Sequence, residues 1–308
     1  MAQPHKDLLT LLDYTGDQIG EILSIAQNLK KDRLQREPDI LRGKTGVLIF
    51  EKPSLRTRIT FETALNELGG HAINLESRMV QLGKRETVDD VARNLERWVH
   101  LIIARTYLHS TVVQLARACS IPVVNALTDY YHPCQALAFA LTLREHRGED
   151  GSGTIVFIGD GNNVCSSLMA LAMQLGYNFT LACPKGYEPP QTIVAACLEI
   201  AKKKNCTLSI TQDLLQAVKN ATVIYTDVWT SMGQENEATD RERIFNGYQV
   251  NTELLSRAPG DVLVSHCLPA HRGQEITSEI LDSAQSIALD EAENRLHVQK
   301  AVIQYLLS

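Results

Sequence analysis

A run rich in hydroxyls and guanidiniums, Ser54-Leu55-Arg56-Thr57-Arg58, follows the apolar segment Val47–Phe50 and leads into a helical pattern at Phe61, Ala64, Leu65 and Leu68. Two hydroxyls, two guanidiniums and the free N–H groups of a helix start make an anion site, and phosphate suits it best. An N-cap beside a solvated arginine pair explains the same spacing equally well. Arg105 closes a second apolar segment, Leu101–Ala104. A charge there suits a ligand contact or a plain surface ion pair. In His132-Pro133-Cys134-Gln135, His132 and Gln135 stand three apart at a helix start, so both can reach one small polar group. Taken alone, His132 is better explained as a cap.

Two further places follow later strands. Asp227 opens Asp227-Val228-Trp229-Thr230-Ser231-Met232-Gly233. Its carboxylate can hold an amine, and Ser231-Met232-Gly233 has the make-up of a loop that closes over a ligand. An ordinary polar loop with a buried tryptophan fits as well. His266-Cys267-Leu268-Pro269 puts a thiol at a strand end, as nucleophile, base or ligand contact, or simply as a small buried side chain. Gly159-Asp160-Gly161-Asn162-Asn163-Val164 begins like a dinucleotide loop, but Val164 takes the third glycine position. The next strand ends in Cys183-Pro184, where a ribose-binding acid would stand. Nicotinamide and flavin are therefore not expected. The adjacent carboxamides suit an amino acid's α-carboxylate or a bridging network.

The elements that must position these groups alternate. Thr15-Gly16-Asp17-Gln18 is a capping box opening a helix through Ile19, Ile22, Leu23, Ala26 and Leu29. Strand patterns at 47–50, 101–104 and 123–124 interleave with helical patterns at 61–68, 88–95, 111–118 and from 133 onward. The polar, glycine-rich stretch 147–153 reads as a linker. After it come strands at 154–158, 179–182, 207–210, 222–226 and 262–265, helices at 163–175 and 190–203, and a last helix from about 291 to 307. Repeated strand-then-helix units predict an α/β fold of two domains, each a parallel sheet covered by helices on both faces. Ligands in such folds bind beyond the carboxyl ends of the strands, where these motifs fall.

Composition narrows the classes. The 308 residues carry 36 acidic against 30 basic side chains, a formal charge of −6, which argues against a nucleic-acid partner. No stretch is apolar enough to span a membrane, and the first residues have neither a signal core nor a transit-peptide composition. Seven scattered cysteines form no Cys-x-x-Cys pair, so neither a zinc site nor a disulfide framework is expected, and a cytoplasmic location is.

Taken together and in this order, the motifs resemble the aspartate/ornithine carbamoyltransferase family over nearly the whole chain. The Asp227–Gly233 and His266–Pro269 segments resemble its ornithine branch rather than its aspartate branch. The resemblance implies transfer of a carbamoyl group from carbamoyl phosphate to an amine, without metal or organic cofactor. It implies a carbamoyl phosphate domain at 1–146, with helix 291–308 returning to it, and an ornithine domain at 147–290. By resemblance, Ser54, Leu55, Arg56 and Thr57 wrap the phosphate, and Arg105 bridges phosphate and carbonyl oxygen. His132 bonds that oxygen, Gln135 holds the carbamoyl amide, and Arg295 completes the pocket. Gln81 reaches the phosphate of a neighbouring subunit in a homotrimer. Asn163, Asp227, Ser231 and Met232 bind the amino-acid part of ornithine, and Cys267 and Leu268 lie between the substrates. Two departures stand out: Leu55 where the family usually has threonine, and Arg85-Glu86-Thr87 where Gly-Glu-Ser is common. The nearest alternative is a sister enzyme acting on putrescine or an N-acylated ornithine. Intact Asp227 and Ser231-Met232-Gly233 favour a free amino acid.

Overall fold

The structure is a computed structural model, and it describes residues 6–31, 33, 39–76, 82–148, 152–231 and 235–308. The chain divides into two compact units, Met1–Leu141 with Glu293–Ser308, and Thr142–Ala292. Each is built on one parallel sheet.

The first unit contains β1 (Thr45–Phe50), β2 (His71–Glu76), β3 (Leu101–Arg105) and β4 (Val123–Leu127), in the order β2-β1-β3-β4. All neighbours pair parallel, so every connection crosses over. The crossovers carry α2 (Arg56–Glu67), α3 (Val88–Leu95) and α4 (His109–Ala118). Both faces of the central strands are covered, and all five β3 residues are buried. One core layer joins Val47, Ile49, Ile102 and Ala104 to Val91, Leu95, Val112 and Leu115. Each such aliphatic burial contributes about 1.5–3 kcal/mol. Ahead of the sheet, α1 (Gly16–Lys31) opens on the expected capping box. Gln18 N–H donates to Thr15 Oγ1 (3.2 Å) and Thr15 N–H to Gln18 Oε1 (2.9 Å).

The second unit contains β5 (Thr154–Ile158), β6 (Asn178–Ala182), β7 (Leu208–Thr211), β8 (Val223–Thr226) and β9 (Leu263–His266), in the order β7-β6-β5-β8-β9, again all parallel. Its helices are α6 (Asn163–Leu175), α7 (Gln191–Lys204), α8 (Leu214–Val218), α9 (Ala238–Phe245), α10 (Thr252–Leu255) and α11 (Ser278–Leu281). The α5 (Pro133–Arg147) and α12 (Ala288–Leu307) helices each begin in one unit and end in the other. The divisions between these units fall inside helices, at 141/142 and 292/293; residues 149–151 of the stretch read as a linker lie outside the described residues. Helix α12 also starts at Ala288, three residues before the position expected from its pattern.

β2 stands out little in the sequence because His71-Ala72-Ile73-Asn74-Leu75-Glu76 mixes apolar with polar residues. That is the pattern of an edge strand, which β2 is. Nor does α9 stand out, because that helix buries only Arg241 and Phe245 and shows no apolar stripe.

Candidate active site

In the first unit, strand ends, helix starts and the interior of α12 bring in five buried polar side chains. Arg105 ends β3, His132 precedes Pro133, Gln135 lies in the first turn of α5, and Thr57 lies in the first turn of α2. Arg295 comes from α12. None of the five is more than 5% exposed. Arg295 Nη2 donates to Thr57 Oγ1 at 2.9 Å, and Arg105 Nη1 approaches the same oxygen at 3.5 Å. Arg295 Nη1 donates to Gln135 Oε1. Burial first, then the charges of Arg295 and Arg105, hold the His132 imidazole well below its ordinary pKa. His132 is neutral at pH 7 and offers a ring N–H without adding a third cation. Two guanidiniums drawn to one hydroxyl are favoured by an anion placed against them.

The start of α2 fits the same chemistry. Its N-cap residue, Leu55, makes no side-chain cap bond, so the first-turn N–H groups are left for another acceptor. Leu55 is 70% exposed, which restricts any contribution at this position to the backbone. Ser54 and Arg56 are half-buried beside it. Arg58 does not join them: its Nε donates to Glu62 Oε1 at 2.9 Å on the helix surface. Of the two arginines read as an anion site, the structure therefore leaves Arg56. Residue 58 lies two positions past Arg56, about 200° around the helix, so it points elsewhere. Gln81 lies outside the described residues.

In the second unit the centre is Asp227, 7% exposed, just past β8. The Cys267 thiol donates to Asp227 Oδ1 at 2.8 Å, and Asn162 Nδ2 donates to Asp227 Oδ2 at 2.7 Å. Asn162 also caps α6, its Oδ1 accepting from Val164 and Cys165 N–H. One carboxamide thus links a helix start to the carboxylate. This realises the bridging network among the two options for the paired carboxamides, at Asn162. Asn163, half-buried, is the first residue of α6. Ser231 and Leu268 are also half-buried, and Met232 lies outside the described residues.

Buried supports surround this centre. Leu268 sits at φ +52°, in the left-handed region that side chains disfavour, and the peptide to Pro269 is cis. The Leu268 N–H donates to His266 Nδ1 (2.8 Å), which leaves the neutral imidazole's proton on Nε2, donating to Glu275 Oε1 (3.0 Å). On the other side, Arg241 Nη1 donates to Asp160 Oδ2 (2.9 Å) and to the Trp229 carbonyl (3.1 Å), and its Nε donates to Glu237 (2.9 Å). Burial outweighs the Arg241 charge and pushes the Asp160 carboxyl up to about 6. Sequence reasoning missed Arg241, which lies in a charged, mostly exposed helix and carries no local mark of its partners. Gly161 is needed for packing: a Cβ there would stand 2.5 Å from Pro189 N and 2.6 Å from the Tyr187 carbonyl.

Asp227, His266 and Cys267 offer three metal-ligand atoms within 4.8 Å of one another. Both His266 nitrogens already serve the Leu268 turn and Glu275, so recruiting this histidine would undo the turn. The three side chains work better as a hydrogen-bonded support than as a ligand set.

Comparison with known proteins agrees with this geometry. Residues 6–145 match the aspartate/ornithine carbamoyltransferase carbamoyl-P binding domain, and residues 152–306 match the Asp/Orn binding domain of the same family. An ornithine carbamoyltransferase of Pyrococcus horikoshii is 47% identical over 98% of this chain and 96% of its own. The solved ornithine carbamoyltransferase of Pyrococcus furiosus superposes with a TM-score of 0.94 at 46% identity, covering 96% of this chain and 95% of that one. An N-acetyl-L-ornithine transcarbamylase structure is also similar, with a TM-score of 0.88 at 28% identity, covering 97% of this chain and 99% of that one. With both family models matched across nearly its full length, on a fold of two parallel-sheet units, this chain belongs to the aspartate/ornithine carbamoyltransferase family.

Proposed function

We propose that the protein is a carbamoyltransferase that moves the carbamoyl group of carbamoyl phosphate to the side-chain amine of L-ornithine, giving L-citrulline and phosphate in arginine biosynthesis. The observation that carries this reading is the buried pair of guanidiniums on Thr57, with a neutral His132 beside them. Those groups suit a phosphate and a carbonyl oxygen. We assign carbamoyl phosphate to residues 1–146 with helix 291–308, and ornithine to residues 147–290.

In this reading the first-turn N–H groups of α2, with Ser54, Arg56 and Thr57, take the phosphate oxygens, the Leu55 contribution being its backbone. Arg105 spans phosphate and carbonyl oxygen, Arg295 completes the pocket, and Gln135 holds the carbamoyl amide. Asn163, Asp227, Ser231 and Met232 bind the amino-acid part of ornithine, and Leu268 lies against both substrates. The ornithine side-chain amine is normally protonated, with a reference pKa of about 10.4, and must lose that proton to attack. The Asp227–Cys267 network receives it. Attack forms the C–N bond and places negative charge on the carbonyl oxygen. Arg105, the His132 N–H and the Thr57 hydroxyl stabilise that charge; one such donor contributes roughly 2.7–4 kcal/mol. The C–O bond to phosphate then breaks, the attacking nitrogen gives its second proton to the departing phosphate oxygen, and phosphate leaves with its charge already matched by Arg56 and Arg105.

A colorimetric citrulline assay with carbamoyl phosphate tests this reading. Ornithine is expected to give the highest kcat/KM, well above putrescine and N-acetylornithine. A preference for either of the latter would reassign the enzyme. A homotrimer in the cytoplasm belongs to the same proposal. Light scattering is expected to give three times the 34.2 kDa chain mass. No helix among the described residues is long and apolar enough to cross a membrane, and the seven cysteines are free thiols.

A further inference from the structure

The pair Asp227–Cys267 stands at the carboxyl ends of neighbouring strands, and the rung beneath it is held by a residue with no part in the mechanism above. In the β8–β9 ladder, Tyr225 pairs with Ser265 and Thr226 with His266. Side chains two apart on a strand share a face, so Tyr225 lies under Asp227 and Ser265 under Cys267. Glu291, fully buried in the first turn of α12, accepts from the Tyr225 hydroxyl at Oε1 (2.7 Å) and from the Ser265 hydroxyl at Oε2. Its two carboxylate oxygens thus grip one hydroxyl from each strand, directly below the thiol–carboxylate pair.

We infer that Glu291 is a positioning residue for the amine-side chemistry: it holds β8 and β9 in the lateral alignment that keeps the Cys267 thiol on Asp227. A carboxylate suits this task because both of its oxygens accept, so two hydroxyl donors can be fixed at once. Burial makes the grip stiff, since an unpaired carboxylate at this depth would be costly. The Tyr225 phenol cannot compete by ionising, because burial, and then the Glu291 charge, hold its pKa far above the ordinary value. The opposite face of the β9 end is fixed separately, by His266 and Glu275. Losing the Glu291 grip therefore loosens the Asp227–Cys267 contact from one side while the turn at Leu268 stays held.

This inference builds on the proposed ornithine reaction, so its test carries one readout that needs no substrate. In Glu291→Gln the side-chain volume is kept, but one acceptor becomes a donor. Iodoacetamide labelling of Cys267, followed by peptide mass spectrometry, is expected to run about three- to tenfold faster than in the parent, because a thiol that leaves a carboxylate ionises more readily. With ornithine, kcat/KM is expected to fall on the order of ten- to a hundredfold, as misplacement of reacting groups costs. The KM for carbamoyl phosphate is expected to stay within about twofold, although Arg295 lies one turn along the same helix. Tyr225→Phe, which frees only Oε1 and leaves Ser265 on Oε2, is expected to move both readouts in the same direction, and serves alone if Glu291→Gln does not fold. Unchanged Cys267 labelling in both variants would overturn the inference, as would a carbamoyl phosphate KM that rises as much as the ornithine KM. Failure of the parent enzyme to make citrulline would instead overturn the proposed function, leaving the labelling result to decide the role of Glu291.

Discussion

At the residue scale the chemistry rests on charge placed where it is wanted and withheld where it is not. His132 is the clearest case, because burial beside two arginines holds its pKa well below the ordinary value and leaves the positive charge to Arg105 and Arg295. Arg56 opens α2 beside N–H groups that no side chain caps. Replacing Arg56 with Ala is expected to raise the KM for carbamoyl phosphate by about ten- to a hundredfold, the worth of one charge-assisted contact. An unchanged KM in steady-state assays would remove Arg56 from the phosphate site. Cys267→Ser keeps a donor toward Asp227 but shortens its reach. The ornithine KM is expected to rise and kcat to fall, with carbamoyl phosphate binding intact; parent-like ornithine kinetics would leave the thiol a packing group.

At the element scale, one residue often does two jobs, and substitutions can separate them. Asn162 caps α6 with its carbonyl oxygen and holds Asp227 with its amide nitrogen. Asn162→Ser retains a capping oxygen and loses the amide donor. Its Tm is expected to stay near that of the parent while the ornithine KM rises. Asn162→Ala loses both, and is expected to cost about 1 kcal/mol of stability besides. Equal Tm values for the two variants would show that the cap contributes little. The same logic explains why these elements were readable. The capping box of α1, the apolar strands β1 and β3, and the punctuated segment before α6 each carry a local pattern that matches their local structure. The edge strand β2 and the charged helix α9 do not, because packing of one face or one side chain decides them.

At the scale of the whole molecule, buried titratable groups set how the protein meets acid. His297 in α12 is fully buried 3.6 Å from Glu293, and burial lowers its pKa from 6.5 to about 4. The unfolded chain binds that proton below pH 6.5 while the native protein refuses it until about pH 4. Stability is therefore whole above pH 6.5 and falls as pH drops through that window, at up to about 1.4 kcal/mol per pH unit for one such group. The Asp160 carboxyl, raised to about 6, binds a proton on the native protein in the same window and opposes this slope. In thermal melts taken from pH 7 to pH 4.5, the Tm of His297→Asn is therefore expected to fall less than that of the parent. An equal fall in the two would assign the acid sensitivity to other groups, His132 first among them.

The sequence by itself determined the alternation of strands and helices, the two-sheet architecture, and the positions after each strand where chemistry could gather. Those follow from short-range rules: periodicity, caps and breakers act over a few residues and leave a mark that one chain can show. The family resemblance rested on the same motifs. The tertiary structure alone decided which members of a motif work together. It turned Arg58 outward to Glu62 while Thr57 became the meeting point of Arg105 and Arg295, 48 and 238 residues away. It selected Asn162 to hold Asp227, brought Arg241 to Asp160, and set Glu291 across two strands. Such contacts depend on crossover topology and burial, so nothing in the spacing along the chain records them.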